Sequence, residues 1–433
     1  MDRVKPWRAP NQYGAAERFV ARLLARFPRL KAWVKNAYVH TAYLLSGGTE
    51  SAYTAESRPG EIGEAGAQTF FGYYDKTPLS RAGWLLCHSA RHPSTRAPLA
   101  GDTIAVQVYD FQARRYAKPI LSIRTRAYNW QQGSRAHWLT EDLFIFNDYD
   151  AFRQRYVSRV YSVAAGKELR RYPLPVQDSW RQEYFLSINY QRLAALRPEY
   201  GYSNLQPLDD AGLRALDEDG IWRVEQHDGN THLLYSLAEI CRVEPCDEFQ
   251  EARHKVNHVM IGPDGRQFIF LHRYFVGQQK RDRLFVAASD GSMLRLLAAH
   301  GMVSHCYWVN STTLVTYLRG PSGRDGYYLV DTASGQMTSL FAGALDGLGD
   351  GHPHVCGHSL ITDTYPDKRR MQHLLCADLR TGTIRELGRF HHSFAYGGTT
   401  RCDLHPRVAP DGRHVFFDSV CSGSRRLHFL ELA

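Results

Sequence analysis

From about residue 68 onward, apolar residues fall in short alternating or β-branched runs: GWLLCHS, TIAVQVYDF, LFIFNDY, VSRVYSV, QFIFLHRY, RLFVAAS, TLVTYL, GYYLVDT, HLLCADL, HVFFDSV and RLHFLEL. Alternation with period two marks half-buried strands, and turns such as PDG, SDG, ASG and RTG separate the runs. The pattern recurs about every 50 residues. His258, His305, His354 and His405 each open a unit, at intervals of 47, 49 and 51 residues. Tyr74 opens YDKTPLSRAGWLLCHS, and His137 opens HWLTEDLFIFND. The 121 residues from His137 to His258 exceed one unit, so a further unit is expected near Asn189, with a partly helical insertion over 189–257. Seven starts predict an all-β fold, a seven-bladed β-propeller over residues 68–433.

The N-terminal pattern is different. Phe19, Val20, Leu23, Leu24, Phe27, Leu30, Val34 and Tyr38 follow a helical stripe within 13–45, with Pro28 as a break or kink and arginine on the other face. Residues 1–46 therefore read as a basic amphipathic helical arm, either packed on the propeller or laid on an anionic membrane surface. Residues 47–67, small and polar, read as a linker.

Charge sharpens this division. Of the net +9, residues 1–49 carry +7, so the basic balance belongs to the arm and does not imply a nucleic-acid partner. Arg22 and Arg26 interrupt the only candidate signal-like stretch, and no apolar run is long enough to span a bilayer. Eight cysteines without a CxxC pair point to reduced thiols and a cytoplasmic protein, peripheral at the inner membrane if the arm binds lipid.

Loops entering the innermost strands of a propeller share one rim, so the unit-opening residues Tyr74, His137, His258, His305, His354 and His405 are expected around one funnel. His352 and His354 alternate on an extended segment and, with His305, form a candidate facial triad for a divalent ion (Mn, Ca or Zn). Arg135, Arg273, Arg401 and Arg407 lie near these positions. A guanidinium fork matches a carboxylate, so they suit an acidic sugar; alternatively they pair with Asp75, Asp403 or Asp418 as structural bridges. His272, His391, His392 and His414 lie outside the repeat register and read as structural. No GxSxG, P-loop or HExxH occurs.

NHVMIGPDGRQFIFLHR, GHPHVCGHS and DLHPRVAPDGRHVFFDS resemble the oligogalacturonate lyase family of propellers, and FFGYYDKTP resembles the opening blade of the ulvan and rhamnose–glucuronate lyases. The resemblance implies a metal held by His305, His352 and His354. The family's glutamine position falls on Gly349, which calls for another ligand such as Asp350. It further implies β-elimination on a uronate: His258 or His137 as base, Tyr74 as acid (or Tyr73 in its place), and Arg273 and Arg407 clamping the carboxylate. Tyr73, Arg135, Asn257, Arg401 and His405 would bind the acidic oligosaccharide or polysaccharide. Two rival functions are a membrane-associated, glycosyltransferase-like enzyme of cell-surface polysaccharide biosynthesis, suggested by the arm, and a noncatalytic glycan-binding propeller.

Overall fold

A computed structural model describes residues 28–48, 51–341 and 344–432. Within them the strands form seven sheets, each an antiparallel blade. Blades 1 to 7 span 68–125, 137–172, 178–236, 253–298, 303–339, 354–391 and 407–431. The expected seven-bladed propeller is therefore the fold.

Two expected starts shift. Blade 1 begins with Gln68–Phe70, and Tyr74 lies in the loop that follows. Blade 3 begins with Asp178–Trp180, not near Asn189. Asn189 is instead the N-cap of helix Tyr190–Leu196, its side chain accepting from the Gln191 and Arg192 amides. That helix and Asp210–Arg214 fill the connection between strands Tyr184–Ile188 and Gly220–Glu225, so the insertion is inside blade 3 and shorter than 189–257.

The stretch 47–67 is more than a linker. Tyr53–Ala55 adds a fifth, outermost strand to blade 6, pairing with Gly388–Phe390. Gly60–Ile62 supplies the outermost strand of blade 7, pairing with Leu427–Phe429. The ring thus closes with an N-terminal strand on the C-terminal blade, which covers an edge that would otherwise expose unpaired backbone groups. Ile62, fully buried, packs with Phe416, Leu427 and residues of blade 1.

Of the expected arm, the described part is helix Pro28–Leu45, starting at the proline that was expected to interrupt it; residues 1–27 lie outside the described residues. Proline suits a first helical turn, where its missing N–H goes unused. The helix rests on the propeller: the His40 ring stacks on Phe394 at 4.2 Å and Tyr43 meets it edge-on. No described helix is long and apolar enough to cross a membrane.

Neighbouring blades are joined by one recurring device. A polar side chain on one blade accepts a backbone N–H at the start of the next. Asp418 of blade 7 accepts from Phe71 and Gly72 at 2.9 and 3.0 Å. His88 of blade 1 accepts from Ser134 at 3.0 Å, and Asn147 of blade 2 from Val176 at 2.6 Å. Asp178 of blade 3 accepts from Ile261 at 2.7 Å, and Asp363 of blade 6 from His405 at 3.0 Å. Most of these amides lie outside the strand ladders, and that of Ile261 belongs to the innermost strand of its blade, so a side-chain acceptor satisfies each in the buried centre.

Truncating Ile62 to Ala should destabilise the protein by about 2–5 kcal/mol in denaturant unfolding, since it opens a cavity at the closure. An unchanged unfolding midpoint would mean that residues 60–62 do not close the ring.

Candidate active site: a histidine cage at the centre of the ring

The inner strands do not present their opening residues uniformly. His258 and His405 adopt left-handed backbone, with φ of 53° and 45°. This conformation is uncommon for a non-glycine residue and is kept only where surrounding contacts enforce it. The ladder slips between Asn257 and Met260 in blade 4 and between Val303 and Cys306 in blade 5. The bulges turn His258 and His305 toward the centre.

There they meet two residues from other blades. The His305 and His352 ring centroids are 4.1 Å apart, His352 and His405 4.2 Å, and His258 and His305 5.7 Å. Tyr73 reaches into the group from blade 1, its hydroxyl 2.6 Å from His258 Nδ1 and its ring 5.1 Å from that of His405. All five side chains are buried.

The inner ring is thus His258, His305, His352 and His405, with His352 in the place expected for His354. His354 turns outward: its Nδ1–H donates to the Tyr74 carbonyl at 2.8 Å and Nε2 accepts from the Tyr307 hydroxyl at 3.2 Å. The strand of blade 6 starts at His354, so His352 precedes it and does not share its face. Instead its backbone N–H and Nδ1 both bond Asp363 Oδ1, at 2.7 and 2.8 Å.

Three more expected site residues are engaged elsewhere. His137 has both nitrogens occupied, by the Arg135 carbonyl at 2.7 Å and Ser179 Oγ at 2.6 Å, and burial pushes its pKa down to about 3. The Tyr74 hydroxyl donates to the Cys306 carbonyl and accepts from the Cys306 amide, which spends it on backbone. Arg407 donates to the Tyr73 and Gly72 carbonyls and pairs with Asp418 at 2.7 Å, fully buried. It holds the loop that presents Tyr73, and its Nη1 is buried without a partner.

Of the alternatives for the arginines, bridging prevails. Arg135 grips Asp75 with two bonds of 3.0 and 2.7 Å, and Arg407 pairs with Asp418. Arg401 pairs with Asp403 at 2.7 Å but keeps 29% of its side chain exposed, with its guanidinium 5.4 Å from the centre of the Tyr365 ring. Arg273 is buried against Asp282 at 2.7 Å.

Several cage neighbours were not anticipated. Lys255 is fully buried and its Nζ has no hydrogen-bond partner; burial and then Arg273 hold its pKa well below that of a free amine. Asn257, two residues on and already expected to bind the sugar, has a buried Oδ1 without a partner. The blade 3 insertion delivers Arg197 and Tyr200; Arg197 sits 5.3 Å from the Tyr200 ring centre, and Tyr200 packs edge-on to Tyr73 and His258. Lys255, Arg273, Arg197 and Arg401 thus put four basic groups around the cage. A lysine inside the apolar run of an innermost strand was a readable signal; the reach of the insertion was not.

Electrostatics sort the imidazoles. Burial, then Arg273 and His305, keep His258 neutral with its pKa well below the ordinary value. Burial and the neighbouring His352 do the same to His305 and His405. For His352 burial opposes the charge, but Asp363, Asp403 and Asp350 outweigh it and raise its pKa. Burial and neighbouring phenols keep the Tyr73 hydroxyl protonated far above its usual range.

The donor set fits a cation. His352 Nε2 and His405 Nε2 are buried without a partner, and with Asp403 they place ligand atoms within 4.8 Å of one another. Asp363 fixes the His352 ring through Nδ1, and the Asp350 carbonyl fixes His305 through Nδ1 at 2.8 Å, which is how carboxylates and carbonyls orient metal-binding imidazoles. The Asp350 carboxylate is bonded to the Ser304 hydroxyl. A surface groove lies elsewhere, lined by Leu79, Phe111, Pro410 and Phe429, and its one imidazole, His414, is tied to Asp411.

Comparison with solved structures gives two close matches in architecture. One is "Oligogalacturonate lyase in complex with manganese", at 14% identity and a TM-score of 0.58, covering 89% of this chain and 98% of that one. The other is an oligogalacturonate lyase from Vibrio parahaemolyticus, at 11% identity and 0.57, covering 89% and 99%. The protein has the oligogalacturonate lyase fold. No family model and no curated protein matches the sequence. At these identities the likeness extends to the whole propeller but speaks to architecture alone.

Replacing Arg407 with Ala leaves Asp418 charged, buried and unpaired, and should cost about 3–5 kcal/mol of stability. A variant of normal stability with only a raised KM would return Arg407 to the role of substrate clamp.

Proposed function

We propose that the protein is a lyase that cleaves an acidic, uronate-containing oligosaccharide by β-elimination. The observation that carries this reading is the 2.6 Å contact between the Tyr73 hydroxyl and His258, set among four basic groups. Elimination needs three things: a base for the C5 proton, neutralisation of the adjacent carboxylate so that this proton becomes acidic, and an acid for the departing C4 oxygen.

His258 is neutral and serves as the base. Tyr73 is protonated and serves as the acid, taking the role first considered for Tyr74. The hydrogen bond between them closes the cycle. The proton that His258 takes from C5 passes to the Tyr73 oxygen, replacing the one given to the leaving group. Arg273, with Arg197 and Arg401 beyond it, offsets the carboxylate, and the buried, unpartnered amine of Lys255 offers it a hydrogen-bond donor. The unpartnered Asn257 Oδ1 offers an acceptor to a sugar hydroxyl. His352, His405 and Asp403, with His305 beside them, would hold a divalent ion, manganese in the light of the related structure. Such an ion supplies positive charge to polarise the carboxylate when bound.

His258→Ala and Tyr73→Phe should each lower production of the unsaturated, near-ultraviolet-absorbing end from oligogalacturonate by about 100-fold or more. Near-normal rates in either variant would remove that residue from the proton relay. Because the pKa of His258 is depressed, it stays unprotonated as the pH falls through the ordinary histidine range of about 6.5. The acid limb of kcat/KM should accordingly lie below that range, and a limb above it would contradict a buried, neutral base. Titration calorimetry should show Mn2+ binding lost in His352→Ala and His405→Ala but kept in His354→Ala. Binding lost in His354→Ala and kept in His405→Ala would restore the ligand set first expected from the sequence.

A further inference from the structure

A second group of metal-binding side chains lies outside the cage. Cys241 lies in the last turn of helix Leu237–Arg242, His254 lies near the start of strand Arg253–Ile261, and His272 faces it from strand Gln267–Val276. Their donor atoms point at one another. Cys241 Sγ is 3.4 Å from His254 Nδ1 and 3.9 Å from His272 Nε2, and the two nitrogens are 3.0 Å apart. Tetrahedral zinc with Zn–N of about 2.05 Å and Zn–S of about 2.3 Å sets its ligands about 3.3 Å apart for N–N and about 3.6 Å for S–N. The observed triangle is close to that size. Both imidazoles are buried and nearly parallel, at 8° between planes. His254 Nε2–H donates to the Phe249 carbonyl at 3.2 Å, which fixes Nδ1 as the free donor.

We propose that Cys241, His254 and His272 bind a structural Zn2+ and that Cys246, an exposed thiol five residues after the first and outside that 4.8 Å cluster, moves in as the fourth ligand. Cys246 Sγ lies 3.9 Å from the hydroxyl of Tyr274, whose ring stacks over both imidazoles at 6.0 and 5.9 Å. The sequence order is then Cys-x4-Cys-x7-His-x17-His. Binding converts each thiol to a thiolate and releases its proton to solvent.

The position gives the ion a purpose. It joins the helix after the last strand of blade 3 to the first two strands of blade 4. Strand Arg253–Ile261 carries Lys255, Asn257 and His258 into the cage, and the ligand His254 directly precedes Lys255. Arg192 of the blade 3 insertion donates to the His254 carbonyl at 3.0 Å and pairs with Asp219, so the insertion is anchored at the same point. The zinc would fix the base of the strand that presents the central residues, whatever reaction those residues perform.

The full-length protein, stripped of metal and titrated with Co2+, should develop a thiolate-to-cobalt charge-transfer band in the near ultraviolet. The cage has no thiol ligand, since Cys306 Sγ bonds Thr316, so the band reports this site alone. The wild-type protein loaded with Zn2+ should retain one equivalent here by elemental analysis, and Cys241→Ser should lose both the band and that equivalent. Cys246→Ser should keep cobalt with a weaker band. A wild-type protein that binds cobalt without a thiolate band overturns the site. An undiminished band in Cys246→Ser overturns the assignment of the fourth ligand.

Discussion

The centre of this propeller depends on satisfying backbone amides that the strand ladders cannot reach. Innermost strands start late or have a ladder partner on one side only, which leaves buried N–H groups at the centre. Asp418, His88, Asn147, Asp178 and Asp363 accept these hydrogens across blade boundaries. Buried carboxylates require countercharges in turn, and Arg407 and Lys76 supply them to Asp418 and Asp178. The same bonds place the functional groups. Asp363 aims His352 and pins His405, and Arg407 supports the loop that carries Tyr73. Structural closure and site geometry are one network here.

That network accounts for the division of labour among twenty histidines. His88 and His137 are consumed as neutral hydrogen-bonding parts with depressed pKa values. His258, His305, His352 and His405 keep a ring edge uncommitted to backbone or, for His258, committed to a phenol that can move a proton. The proposed preference for an acidic ligand rests on the basic groups at the cage, not on the chain's overall charge, most of which lies in the first 49 residues.

The repeat period made the blade number legible, because each blade needs the same inner strand and turns. It misplaced blade 3, where the period is broken by an insertion whose helix cap, Asn189, looked like a blade opening. The funnel was legible as well, yet the register within it was not. A two-residue choice between His352 and His354 depends on where the strand starts and on what Asp363 binds, which spacing does not encode. The bridging pairs Arg135–Asp75, Arg401–Asp403 and Arg407–Asp418 were among the alternatives open from the sequence, and geometry selected them. Runs such as LFIFND, LITD and VFFD place an Asn or Asp in the second half of their second strands, so the inter-blade acceptors carried a repeat signature of their own.

The central claim is that the cage breaks a uronate linkage by elimination. Its most direct test is the product formed from oligogalacturonate in heavy-oxygen water, read by mass spectrometry. Elimination predicts a new unsaturated non-reducing end with no oxygen drawn from solvent. Saturated fragments carrying solvent oxygen would show hydrolysis and contradict the account.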